Sequence, residues 1–164
     1  GGIAVLPKLV RETQRVGRRL PDTREAFPSM GLSAVHLAVV QKGMADVANS
    51  PRGTAFRARI EEPGMAMAGK TGSVQVKRIT KAQRERGVSK NEDRVWKDRD
   101  HALFVGYAPV DSPRYAVSVV VEHGGGGAKT AAPIARDILR EVQRRDPARR
   151  GPEENIVLDT TATV

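Results

Sequence analysis

The chain has 164 residues, 39% of them hydrophobic and 4% aromatic, with no cysteine and a formal net charge of +9. That length builds one domain around one core, and the absence of cysteine excludes disulfides, thiol nucleophiles and thiolate metal sites. The charge invites an anionic partner but is uneven: residues 77–99 hold nine Lys/Arg against four Asp/Glu, and residues 136–150 hold six Arg against three acids.

The chain opens Gly1-Gly2-Ile3, without an initiator methionine or the charged, apolar, small-residue order of a signal peptide, so a piece of a longer protein is expected. Its longest apolar runs, Ala102 to Val110 and Tyr115 to Val121, fall short of the ~18 to 20 residues of a membrane span, and any anchor is expected outside the chain. Residues 3–10 (IAVLPKLV) read as a short extended piece interrupted by Pro7, and residues 11–30 as loop. From Ser33 to Ala48, Val35, Val39, Val40 and Val47 recur at helical spacing, and Asn49, Ser50 and Pro51 stop them; this predicts a first helix. A turn at Pro51, Arg52 and Gly53 and an irregular stretch lead to Pro63-Gly64.

Residues Met65 to Val76 end in the alternation Ser73, Val74, Gln75, Val76, the pattern of a half-buried strand. Lys77 to Arg99, with Trp96 its one aromatic, reads as a long exposed basic loop with room for a helical turn. Ala102 to Val110 and Arg114 to Glu122 are β-rich and separated by the turn residues Asp111, Ser112 and Pro113, which predicts an antiparallel hairpin. After Gly124 to Gly127, Thr130 is the expected N-cap of a helix that tolerates Pro133 in its first turn. Ile134, Ile138, Leu139 and Val142 form its apolar stripe, and it runs to about Arg145. Residues 1–145 are read as one domain portion and residues 146–164 as a flexible tail. The order helix, strand, long loop, hairpin, helix predicts the α+β class, an antiparallel β-sheet sandwiched by helices.

Two chemistries compete for residues 64–73. Gly64-Met-Ala-Met-Ala-Gly69-Lys70-Thr71 satisfies the G-x-x-x-x-G-K-[ST] pattern of a nucleotide-binding phosphate loop. That mechanism needs a helix after the loop, whose free N-terminal amides hold the phosphates, whereas Gly72 to Val76 reads as a strand. Gly124 to Gly127, Ala128, Lys129 and Thr130 do stand between a strand and a helix. No glycine directly precedes Lys129, however, and the segment reads as a turn. Taken as a strand, Lys70-Thr71-Gly72 matches the K-T-G element of β-lactam-binding enzymes. A substrate peptide can add beside an exposed strand edge, and Gly72 lets the two backbones approach. Lys70 puts a cation beside a substrate carboxylate and a reacting hydroxyl, and the Thr71 hydroxyl can bind that carboxylate. The backbone N–H of Ser73 is placed to help hold an acyl-transfer oxyanion.

Four segments follow one another in a telling order: Gly43-Met-Ala-Asp-Val-Ala-Asn-Ser-Pro-Arg-Gly-Thr-Ala55, Lys70-Thr-Gly-Ser-Val-Gln-Val76, Arg99-Asp-His-Ala-Leu-Phe-Val-Gly-Tyr-Ala-Pro109 and Glu122-His-Gly-Gly-Gly-Gly127. Over residues 1–145 this resembles class B penicillin-binding proteins, most closely the elongation-type group called penicillin-binding protein 2. The resemblance implies a peptidoglycan D,D-transpeptidase, in which a serine attacks the D-alanyl-D-alanine end of a stem peptide, or a β-lactam, and an amine captures the acyl-enzyme. It assigns Lys70, Thr71, Gly72 and Ser73 to the family's third motif, with Lys70 and the Ser73 amide catalytic, all four binding substrate and Gln75 at the pocket rim. Ser73 stands where threonine is commoner and keeps both hydroxyl and amide.

The resemblance also implies the periplasmic side of the bacterial inner membrane. The expected partners are the upstream part of the same transpeptidase domain, a glycan polymerase and elongation-complex proteins; no cofactor, metal or nucleic acid is expected. The family's Ser-x-x-Lys and Ser-x-Asn precede this region. Here Ser29, Ser33 and Ser50 have no lysine three residues later, and Ser89-Lys90-Asn91 follows the third motif. The nucleophile and its base are therefore expected outside the chain, which alone should be inactive.

The histidines read as structural or surface residues, with packing for His101 and a place at the site mouth as the functional reading of His123. No histidines and carboxylates have metal-ligand spacing. A rival of another class is a basic module for nucleic acid or an anionic surface, built on residues 77–99 and the arginine-rich helix. It lacks the aromatics that stack on bases, and Asp137 and Glu141 interrupt the helix arginines as on an ordinary solvated face.

Overall fold

The computed structural model describes residues 29–146, so the expectations for residues 3–10, for the loop up to residue 28 and for the tail from residue 147 lie outside the described residues. The chain divides into two units, residues 1–42 and 43–164. In the first, the described part is residues 29–42, with the start of helix α1 (Ala34–Asn49). Its bounds agree with the sequence pattern. Its valine stripe does not behave as one buried face: Val35, Val39 and Val40 are exposed. Burial begins only at the C-terminal end of α1, in the second unit, where Ala48 is fully buried and Val47 packs against the core.

The second unit is built on alternation. In β2 (His101–Ala108) every second residue, Ala102, Phe104, Gly106 and Ala108, is buried. In β3 (Tyr115–Val121) the residues opposite them, Val121, Val119, Val117 and Tyr115, share that face. The predicted hairpin is present, with residues 109–114 as its connection. β1 (Ala68–Val74) pairs antiparallel with the other side of β2, giving the order β1-β2-β3. The expected half-buried alternation at Ser73 to Val76 is not found: the strand stops at Val74, and Ser73, Val74, Gln75 and Val76 are all exposed. The buried part lies earlier, at Met67, Ala68 and Gly69, because the C-terminal helix, residues 131–145, packs chiefly on β2 and β3.

Helix α3 (Ala131–Arg145) has the predicted limits but a different buried face. Ala131, Ala132, Ala135, Leu139 and Gln143 are buried, whereas Ile134 and Ile138 are 41% and 48% exposed. Alanines leave little side chain between helix and sheet, so the close approach selects the small face over the more apolar one. Gln143 is tolerated there because its amide donates to the Met65 and Leu139 carbonyls, each at 3.1 Å. Thr130 sits at the N-cap position without capping: its hydroxyl donates to the Gly124 carbonyl at 2.8 Å and ties the glycine turn to the helix. At the other end the Asp146 carboxylate accepts from the Tyr115 hydroxyl at 2.7 Å and pairs with Arg114 at 2.8 Å, fastening the helix end to the start of β3.

The opposite face of the sheet carries Leu103, Val105, Tyr107 and Val120, and no helix covers it among the described residues; Val105 is 46% and Val120 60% exposed. Residues 75–100 form the expected long connection, with helix α2 (Lys81–Glu85) and short 3-10 turns at Asn91–Asp93 and Trp96–Asp98. Its second half is pinned. Arg94 pairs with Asp100 at 2.9 Å, the Asp100 N–H donates to Asn91 Oδ1 at 2.8 Å, and the Asp100 carbonyl accepts from Gly125 N–H at 2.8 Å.

Candidate active site

β1 is an edge strand of the described sheet, so one side of its backbone faces no neighbouring strand there. It is seated by a pair of facing glycines, Gly69 and Gly106, with the buried Phe104 ring against both. A Cβ on Gly69 would stand under 3.0 Å from that ring and from the Val105 carbonyl, so the seat accepts only glycine. Beyond the seat the register puts Thr71 and Ser73 opposite Phe104 and Ala102, on the face that α3 covers. Lys70 and Gly72 stand opposite Val105 and Leu103, on the open face.

The structure thus gathers Lys70, Thr71, Gly72 and Ser73 on one accessible edge. Lys70 is exposed, and its ammonium donates to the Thr71 carbonyl at 2.8 Å. At Gly72 a Cβ would meet only Leu103, whose Cβ is 3.2 Å away. Gly127 lies against the same backbone, where a Cβ would stand under 3.0 Å from the Gly72 and Leu103 carbonyls. Gln75 lies past the strand end, and its side-chain amide turns to the Lys77 carbonyl. Because Lys70 and Thr71 lie inside β1 and strand, not helix, follows them, the phosphate-loop reading is overturned.

Sequence reasoning missed Thr54. Its hydroxyl lies 3.1 Å from the Thr71 hydroxyl. The turn that carries it is locked onto the end of α1: Ser50 N–H donates to Asp46 O at 3.0 Å, Gly53 N–H to Ser50 O at 2.7 Å, and Ala55 N–H to Val47 O at 2.9 Å. Asn49 donates to the Met67 carbonyl at 2.9 Å, tying the same helix end to the residue before β1. The only trace of this in the sequence is Gly53-Thr54-Ala55, the end of the first of the four ordered segments.

His101 and His123 act as pins. His101 Nδ1 accepts from the His123 N–H at 2.8 Å, and His123 Nδ1 donates to the Arg99 carbonyl at 3.0 Å. The His123 ring lies 4.3 Å from that of Trp96 and 4.8 Å from that of His101, between centroids. These contacts hold the starts of β2 and of the glycine turn together; His36 is exposed on α1. No group of three or more His, Asp or Glu is placed to hold a metal ion among the described residues, and no helix there is long and apolar enough to cross a membrane. Around the loop, the Lys77 ammonium, 2.6 Å from Asp98, holds that carboxyl below its usual range. Lys129, 2.8 Å from Glu92, likewise lowers the Glu92 carboxyl and is itself raised.

With this geometry stand three comparisons. The family described as the penicillin binding protein transpeptidase domain matches residues 1–140. The chain is 31% identical over 155 residues to the peptidoglycan D,D-transpeptidase MrdA of Escherichia coli K12, an overlap covering 94% of this chain and 24% of that protein. It is 32% identical over 155 residues to MrdA of Acinetobacter baumannii, covering 90% and 21%. Among solved structures it is similar to penicillin-binding protein 2 of Pseudomonas aeruginosa in complex with WCK 5153, at a TM-score of 0.54 and 32% identity over 70% of this chain and 21% of the other. The complex of penicillin-binding protein 2 and MreC from Helicobacter pylori gives a TM-score of 0.55 and 26% identity over 70% and 19%. The chain spans about a quarter of the length of the curated relatives it matches.

Proposed function

The chain belongs to the penicillin-binding protein transpeptidase family, and on that premise we propose that it supplies one wall of a peptidoglycan D,D-transpeptidase site whose reacting serine lies outside these 164 residues. The observation that carries the reading is the edge strand β1, with Lys70, Thr71, Gly72 and Ser73 along it and no side chain at Gly72. A stem peptide ending in D-alanyl-D-alanine adds alongside β1, its backbone close to Gly72. The Thr71 hydroxyl and the Lys70 ammonium bind its terminal carboxylate. The serine attacks the carbonyl of the penultimate D-alanine, the terminal D-alanine leaves with a proton on its amine, and an amine of a second strand displaces the serine from the acyl-enzyme. The Ser73 N–H helps hold the oxyanion formed in each half-reaction, and Gln75 borders the pocket. A β-lactam acylates the same serine.

The family relationship supports a place on the periplasmic side of the bacterial inner membrane. It also supports partnership with a glycan polymerase and elongation-complex proteins; one structural neighbour was solved in complex with MreC. Fluorescent penicillin tests the reading. The longer protein that contains this chain should be labelled covalently, and replacement of its upstream serine should abolish the label. The chain alone should stay unlabelled. A covalent label on the isolated chain would place the nucleophile inside it and overturn the proposal.

A further inference from the structure

We infer that Thr54 is a positioning residue that sets the direction of the Thr71 hydroxyl toward the substrate carboxylate; this rests on the carboxylate-binding role proposed above for Thr71. The two hydroxyl oxygens are 3.1 Å apart, a hydrogen bond in which either could donate. Each hydroxyl has one proton and two lone pairs. A carboxylate can only accept, so Thr71 must spend its single proton on the ligand. The bond between the threonines can then run one way only, with Thr54 donating and Thr71 accepting. Thr54 stops the Thr71 rotor from turning away, and its donated proton polarises the Thr71 O–H toward the ligand.

The frame around Thr54 suits that task. On one side Gly53 is packed so tightly that a Cβ would stand under 3.0 Å from the Asp46 and Val47 carbonyls. On the other, Ala55 is 1% exposed and its N–H is bonded to the Val47 carbonyl. Thr54 is therefore held between two immobile residues while its own side chain remains exposed. Both threonine side chains are accessible at the surface, Thr54 exposed and Thr71 half-buried. An exposed threonine without such a role would be silent on substitution.

The test measures the second-order rate of acylation by fluorescent penicillin in the longer protein that carries the reacting serine, using T54V, T54S, T71V and the T54V/T71V double variant. T54V should acylate about fivefold to tenfold more slowly, the worth of one hydrogen bond, and T54S should recover to within about twofold of wild type. T71V should be slow, and adding T54V to it should change nothing further, since Thr54 acts through Thr71. A structural role would instead multiply the two losses. Wild-type speed in T54V, a T54S variant as slow as T54V, or an undiminished T54V loss in the T71V background each overturns the role of Thr54 and leaves the transpeptidase reading standing. A wild-type protein that takes no label overturns both.

Discussion

Two glycines that touch the same peptide unit answer to different demands. A Cβ on Gly127 would be driven into the Gly72 and Leu103 carbonyls, which are backbone and cannot swing aside. Gly127→Ala should therefore destabilise the protein by about 1–3 kcal/mol or more, seen as a lower urea midpoint. A Cβ on Gly72 meets only the Leu103 Cβ at 3.2 Å, which needs to yield a few tenths of an ångström. Gly72→Ala should shift stability by less than about 1 kcal/mol, yet cut penicillin acylation of the longer protein at least about tenfold, because on the proposed docking the methyl stands between the strand and the ligand backbone. Equal losses of stability in the two variants would contradict this division. That Lys70 to Ser73 lie on a strand was legible because a short motif with a following strand pattern is local in sequence. The Thr54–Thr71 contact was not, because it joins residues 17 apart through a turn whose shape only the folded chain defines.

The limits of α3 and of the β2–β3 hairpin could be read from capping, turn and alternation signals, all of which act within a few residues. The buried face of α3 could not. Hydropathy ranks isoleucine above alanine, while the distance between helix and sheet rewards the smaller residue, so Ile134 and Ile138 turn outward and Ala132 and Ala135 turn in. Two substitutions separate these alternatives by unfolding in urea. Leu139→Ala should cost about 2–4 kcal/mol, since that side chain is fully enclosed. Ile138→Ala, predicted by the apolar stripe to be as harmful, should cost no more than about 0.5 kcal/mol.

For the molecule as a whole, the sheet class followed from the order of elements, but what lies on each face did not, because element order carries no information about coverage. α3 shields one face, and the other presents Leu103, Val105, Tyr107 and Val120. An exposed apolar surface of this kind promotes association. The isolated chain should scatter more light as its concentration rises, and Val105→Lys with Val120→Lys should suppress the effect; unchanged association in that double variant would place the sticky surface elsewhere.

The unequal connections in the sheet have a temporal meaning. Six residues join β2 to β3, whereas 26 residues, 75–100, separate β1 from β2. Closing the longer loop costs about 1.3 kcal/mol more chain entropy. The hairpin is therefore expected to form before β1 joins it. On the proposed reading the strand offered to substrate is thus the later of the two to join the sheet, so substrate handling and the slower step of sheet assembly would fall on the same seven residues.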